Sequence, residues 1–501
     1  MRNILCAALG AVLGAAYLPA SAIALNPRGI GQVLIYPYYT TNAALGTLLS
    51  VTNTTNQGKA LKVHVREGYN GRDVLAFNLY LSPYDEWVAQ IYYSNGGGAL
   101  ATNDNSCTVP TFERSSAAPG IGVVNLSTSG YSGANADGGP TALSRTREGY
   151  IEIIEMGTIT NGSHQTLEAI THTSHGVPNN CGQLVDAWGQ NGYWKSDSGS
   201  DLAPPSGGLY GAESIINVGA GLIYAVNAEA IEGFSESVQH TAPTSQLPDL
   251  GSASSDENGA VSAIVSTSAG SVTASFPRAI DAVSALFMVE KLFNEYVIDS
   301  NLAAQSDWVL TLPTKRFYTD PALIGPATSA LQPFDSAFGA GGLGASCSSA
   351  SVQFWNREEM TTTSPSCGGL CPTQPPDGLC FATNVLPFGK ILSDPEPMLG
   401  SSLLYVVKYN GYIDPSEADF RSGHARMDLT VDADGASELN HVLIANGGVV
   451  LHGLPAVGFG AIDYINGNVT PGTLANYSGA YPHRATVNCT KKVNNAVLPC
   501  N

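Results

Sequence analysis

The chain has 501 residues, with Asp plus Glu outnumbering Lys plus Arg 41 to 22, 44% apolar residues and only 13% charged. The acidic balance argues against nucleic acid and anionic lipid as partners, since both call for clustered positive charge. Low charge density with this apolar content argues against a charge-driven disordered chain, and the length suggests two to four domains.

Export is the first expectation in chain order. Met1-Arg2-Asn3 supplies a positive start, residues 4–18 are apolar, and small residues follow at Ala20-Ser21-Ala22 and at Ala22-Ile23-Ala24. Both triplets fit an A-x-A cleavage site, so residues 1–24 read as a signal peptide removed near Ala24. Cys6 lies inside the apolar stretch, which argues against a lipid-anchoring cysteine. Beyond it, the longest apolar run, residues 279–298, is broken by Asp281, Glu290, Lys291 and Glu295, so no transmembrane helix is expected in the mature chain. An outer-membrane β-barrel stays open as a reading, because its alternation is faint per strand. The closing Leu498-Pro499-Cys500-Asn501 is unlike a terminal barrel strand.

Residues 25–245 read as an N-terminal β-sandwich region with long loop insertions. Residues 32–36 and 47–51 are strand-like, with Pro37 marking a bend or an edge. Leu61, Val63 and Val65 alternate with Lys62, His64 and Arg66, which predicts a half-buried strand with the basic residues in solvent. Leu75, Phe77, Leu79 and Leu81 form another period-two face, and residues 87–91 a further strand. Residues 96–142 and 179–205 read as long loops, with strands at 149–155 and 214–226 between and after them. Residues 246–277 are expected to be a Ser- and Gly-rich excursion leading into a helix over 279–299, carried by Ile280, Val283, Leu286, Phe287, Leu292 and Phe293. Residues 278–501 continue as a helix plus a β-rich, disulfide-stapled region, with strands near 307–312, 402–409, 426–431 and 442–451. The fold class is therefore mainly β: two or more antiparallel, immunoglobulin-like sandwiches with long loops and one prominent helix.

Without Cys6 an even set of cysteines remains: Cys107, Cys181, Cys347, Cys367, Cys371, Cys380, Cys489 and Cys500. In an oxidising compartment these read as disulfides. Cys107 and Cys181 stand alone in the N-terminal half and are expected to pair, as are Cys489 and Cys500 across a hairpin. Three connectivities are open for the other four. Zinc is the rival for that group, but no second ligand pair or nearby His completes it.

Gly29-Ile30-Gly31-Gln32-Val33-Leu34-Ile35-Tyr36-Pro37, Asn294-Glu295-Tyr296-Val297 and the run from Asp307-Trp308 to Phe317-Tyr318 resemble a family of exported, cell-surface proteins of Gram-negative bacteria. The resemblance is scattered over most of the chain. It implies a location, not an activity.

No catalytic motif stands in its required context. Gly130-Tyr131-Ser132-Gly133 lacks the fifth-position Gly of a nucleophile elbow and sits in a loop. His164, His172, His175 and Glu168 could in principle bind a metal but lack a helix to present them on one face. His424, His441 and His452 are widely dispersed. Asp432, Asp434 and Glu438 are the metal candidates, with calcium as the cation, although the Gly comes too early for an EF-hand and Asp-Gly also makes a hairpin turn. No cofactor is expected. Tyr-rich stretches, Tyr36, Tyr38, Tyr39 and Tyr92, Tyr93, fit half-buried strands and could also stack on sugars. The leading functional expectation is an exported, non-enzymatic surface or binding protein of adhesion type, with other surface proteins, itself or glycans as partners. The alternatives are a secreted hydrolase of polysaccharide or ester and the barrel.

Overall fold

A computed structural model describes residues 22–114, 120–131, 133–299, 302–325, 330–339, 344–363, 378–388, 397–404, 420–431, 441–493 and 496–500. The protein is mainly β, and the pairs among its described strands are antiparallel apart from Ala22–Leu25 on Val261–Thr267. The two largest sheets have ten and seven strands, more than an immunoglobulin module carries. Both have free edges, as do the smaller ones, so no sheet among the described strands closes into a barrel.

Alternation along the strands builds the sandwich. Leu61, Val63 and Val65 of strand Gly58–Glu67 face Phe77 and Leu79 of Asp73–Leu81, with Ile151 and Ile153 of Glu148–Ile159 beside them. Leu49, Val51, Trp87, Ala89, Ile91 and Leu100 of the seven-stranded sheet fill the same core from the opposite side. Successive side chains point to opposite faces, so one register fixes every residue in the layer.

The expectation that Lys62, His64 and Arg66 face solvent is corrected. All three are fully buried on the second face of the sheet. Residues 242–249, the last four of them expected to open an exposed excursion at residue 246, fold over that face. Lys62 Nζ donates to the carbonyls of Ala242 and Ser245 (2.9 and 3.3 Å), His64 Nε2 donates to Pro248 O (2.8 Å), and Arg66 pairs with Glu152 and Asp73. A strand buried on both faces can carry basic residues on one of them only where carbonyls and carboxylates meet them.

Two further expectations change. The helix ends at Phe287, and Lys291–Val297 is a strand. Leu292, Asn294 and Tyr296 are buried there while Glu295 is exposed, a period of two that the apolar count had merged with the helical period before it. Residues 96–142 hold four short strands, Gly97–Thr102, Cys107–Val109, Glu113–Arg114 and Gly122–Asn125, and residues 179–205 hold helices Cys181–Ala187 and Tyr193–Ser196. Pro37 lies in a central strand. Tyr36 pairs with Ile151 and Tyr39 with Gly149, so Pro37 and Tyr38 bulge opposite the single residue Tyr150.

The two halves share their interior. Ile23, Val33, Ile35 and Ile231 pack in one cluster with Trp308, Leu386, Met427 and Leu451, and Tyr38, Ile215 and Tyr224 pack with Val309, Val385 and Phe459. Among the described residues, three disulfides join Cys107 to Cys181, Cys347 to Cys380 and Cys489 to Cys500. Cys367 and Cys371 lie outside the described residues. No helix among those residues is long and apolar enough to cross a membrane.

Candidate functional site

Most ionisable groups with shifted pKa values are locked in the interior. Arg145 Nε and Nη2 donate to Glu67 (2.8 and 3.0 Å), and Nη1 and Nη2 donate to Asp137 (2.9 and 2.6 Å). Burial alone would raise the Asp137 pKa, but the Arg145 guanidinium overrides it and holds the carboxyl lowered to about 2. Arg72 reaches Asp320 through Nε and Nη2 (2.8 and 2.7 Å), which carries the network into the C-terminal half. Burial pushes Asp307 up to about 8, against the Leu399 N–H that donates to it, with Asp463 adding repulsion. These groups are held by hydrogen bonds and ion pairs that tie distant segments together.

A polar cleft lies on one face of a five-stranded sheet, ordered Thr361–Thr363, Ser351–Asn356, Ser422–Asp428, Lys291–Val297 and Arg484–Thr486. Antiparallel pairing sets side chains in rows across it. Trp355 stands opposite His424, and His424 opposite Glu295. The next row runs Gln353, Arg426, Phe293, Arg484. Ala425 between these rows and Met427 beyond the second point inward to the core, which leaves the alternate residues on the cleft side. The cleft encloses about 920 Å³.

Its floor is an aromatic stack. The Trp355 and His424 rings are parallel to within 4° at a centroid separation of 5.1 Å. The Arg426 guanidinium lies 5.4 Å from the Trp355 ring centre and donates to Gln353 Oε1 at 2.7 Å. One rim is a tight turn in which Asn356 Oδ1 accepts from the backbone N–H groups of Glu358 and Met360, both at 2.9 Å. Glu359 has φ of 64° there, a strained value for a residue with a Cβ. That turn presents Arg357 and Glu359 to the cleft.

Beneath the floor, Asn294 donates to Tyr481 O (2.9 Å) and to His483 Nδ1 (3.0 Å), while His483 Nε2 donates to Val309 O (3.0 Å). Those partners fit only the neutral Nε2–H tautomer. Burial accordingly lowers the His483 pKa to about 4, the Val309 carbonyl opposing it. Neutral packing here holds the strand that carries Glu295 without a charge under the cleft.

Of the residues singled out from sequence, the structure brings few together. His172 Nδ1 lies 3.0 Å from Ser82 Oγ and 3.7 Å from Asp85, whereas His164 stacks on Tyr193 at 3.8 Å. Tyr131 is buried, donating to Asp73 O at 2.7 Å beneath Arg145. Asp432, Asp434 and Glu438 lie outside the described residues. No group of three metal-ligating side chains occurs among the described residues. The cleft was missed because Trp355, His424 and Glu295 are far apart in sequence and only strand pairing unites them. Their one local signal is an aromatic or charged residue at every second position.

No family model, no curated protein and no solved structure matches the chain.

Proposed function

We propose that the protein is an exported, non-enzymatic surface or binding protein of adhesion type, and that the cleft over the five-stranded sheet takes a glycan. The observation that carries this is the Trp355–His424 stack on the cleft floor, ringed by Arg357, Arg484, Glu295 and Glu359. A flat aromatic surface receives the C–H face of a sugar ring, and guanidinium and carboxylate groups donate to and accept from its hydroxyls. Cysteines joined in three disulfides fit the oxidising environment that export provides.

An array of neutral and acidic oligosaccharides probed with the oxidised chain tests the reading. Binding to a subset, weakened at least about fivefold by Trp355→Ala, is expected, since losing a stacked contact costs roughly 1 kcal/mol or more. No binding anywhere on the array would overturn it. A second reading, a hydrolase of polysaccharide or ester, is favoured by two carboxylates, Glu295 and Glu359, sharing the cleft. It predicts that bound oligosaccharide is cut and that Glu295→Gln or Glu359→Gln stops the cutting. Under the binding reading the sugar is recovered intact.

A further inference from the structure

Ala22–Leu25 is a strand within the ten-stranded sheet and bridges two parts of it. On one side Ala24 and Leu25 pair antiparallel with Glu232 and Ile231. On the other, Ala22, Ile23 and Ala24 pair in parallel with Ser262, Ala263 and Ile264. The hairpin formed by Val261–Thr267 and Gly270–Phe276 therefore joins the rest of the sheet only through these four residues. Ile23 is fully buried among Ile231, Val261 and Ala263. Ala22 is half-buried at the strand's start, and its carbonyl lies so close to Gly233 that a Cβ added there would come within 2.8 Å of it.

The two A-x-A triplets overlap in this strand and have opposite consequences. Cutting after Ala24 would remove Ile23 from the core along with every residue paired to Ser262, Ala263 and Ile264, leaving Leu25 paired with Ile231 alone. Cutting after Ala22 would keep Ile23, Ala24 and Leu25 in place, with the new chain end where the strand begins. Resting on the export reading, we infer that the leader is removed at the Ala22–Ile23 bond, and that the mature N-terminus is a structural strand of the sheet. The step is hydrolysis by a signal peptidase: one water is consumed, the amide bond breaks, Ala22 leaves as a carboxylate and Ile23 keeps an α-ammonium group.

N-terminal sequencing and intact mass of the exported protein decide this. A chain beginning at Ile23 is the expected result. A chain beginning at Leu25, or at any residue other than Ile23, overturns the assignment while leaving export standing. A chain beginning at Met1 in the cytoplasmic fraction defeats the export reading instead. Ala20→Asp supplies the second arm, because it spoils the −3 position of the first triplet and leaves the second intact. Its product should begin at Leu25, melt lower by about 5 °C or more, and be cut by protease within residues 261–276. Equal melting of that product and the wild-type protein would refute the structural role of Ile23.

Discussion

Arg145 and Glu67, 78 positions apart in sequence, meet through two hydrogen bonds of 2.8 and 3.0 Å between fully buried side chains. The same guanidinium grips Asp137, and Asn70 Nδ2 then bridges Asp137 to Asp320. Arg145 thus holds Glu67 and Asp137 together in the interior, with Arg72 also 3.5 Å from Asp137. Arg145→Ala should cost about 3–5 kcal/mol, since it strands buried charge rather than merely deleting a contact. Chemical denaturation at pH 7 measures this, and a loss under about 1 kcal/mol would show that the network is not closed to water. The Asp137 pKa is lowered on folding, so its share of stability is present above the unfolded value near 4. That share is lost as pH falls from about 4 to 2. The penalty of Arg145→Ala should shrink across that window.

Asp307 has the opposite sign. Its pKa rises to about 8 in the folded protein, so folding favours the protonated acid. The stability it lends is complete below about pH 4 and is lost as pH rises toward 8. Asp307→Asn keeps an acceptor for the Leu399 N–H and removes the charge. The variant should be more stable than wild type by about 1–3 kcal/mol at pH 8, with the gain vanishing near pH 4. Thermal melts over that range would contradict the account if the gain grew on acidification.

Val63 and Lys62 lie on opposite faces of one strand, and both faces are closed. Val63→Asp should be severe because it buries an unpaired charge in the sandwich core. Lys62→Asp should be severe as well, by about 2–4 kcal/mol, because it sets a carboxylate against the carbonyls of Ala242 and Ser245. Burial already lowers the Lys62 pKa to about 7 despite the pull of Asp73, a mark of how little water reaches it. A Lys62→Asp protein that melts with the wild type would mean that residues 242–249 do not cover the sheet in solution.

The Cys107–Cys181 disulfide spans 74 residues and ties strand Cys107–Val109 to the helix at Cys181–Ala187. Replacing both cysteines by serine should destabilise by about 3–5 kcal/mol through the freed unfolded chain. Peptide mapping without reductant should recover this pair together with Cys489–Cys500. Cys489 linked to a cysteine in residues 347–380 would contradict the fold.

Local pattern carried much of the architecture. Leu61, Val63 and Val65 reveal their strand because alternation is a property of neighbours. The Cys107–Cys181 and Cys489–Cys500 pairs follow from their isolation in the chain. Pattern failed where a distant segment decides the environment. Nothing near Lys62 announces that the carbonyls of Ala242 and Ser245 will receive its amine, so a basic residue on a strand reads as exposed. Leu292 and Phe293 continue the helical count from Ile280, and only the cross-strand partners Met427 and Arg426 make them strand residues. The cleft belongs wholly to this second class. Trp355, His424 and Glu295 become a site through register alone.

Hydrogen–deuterium exchange, with and without the oligosaccharide selected on the array, tests the cleft most directly. Binding should slow exchange in the strands Ser351–Asn356, Ser422–Asp428 and Lys291–Val297 and in the turn carrying Arg357 and Glu359, and Trp355→Ala should abolish that slowing. Saturating sugar that leaves these strands unchanged, or that protects another surface in their place, would contradict the assignment of the Trp355 cleft as the binding site.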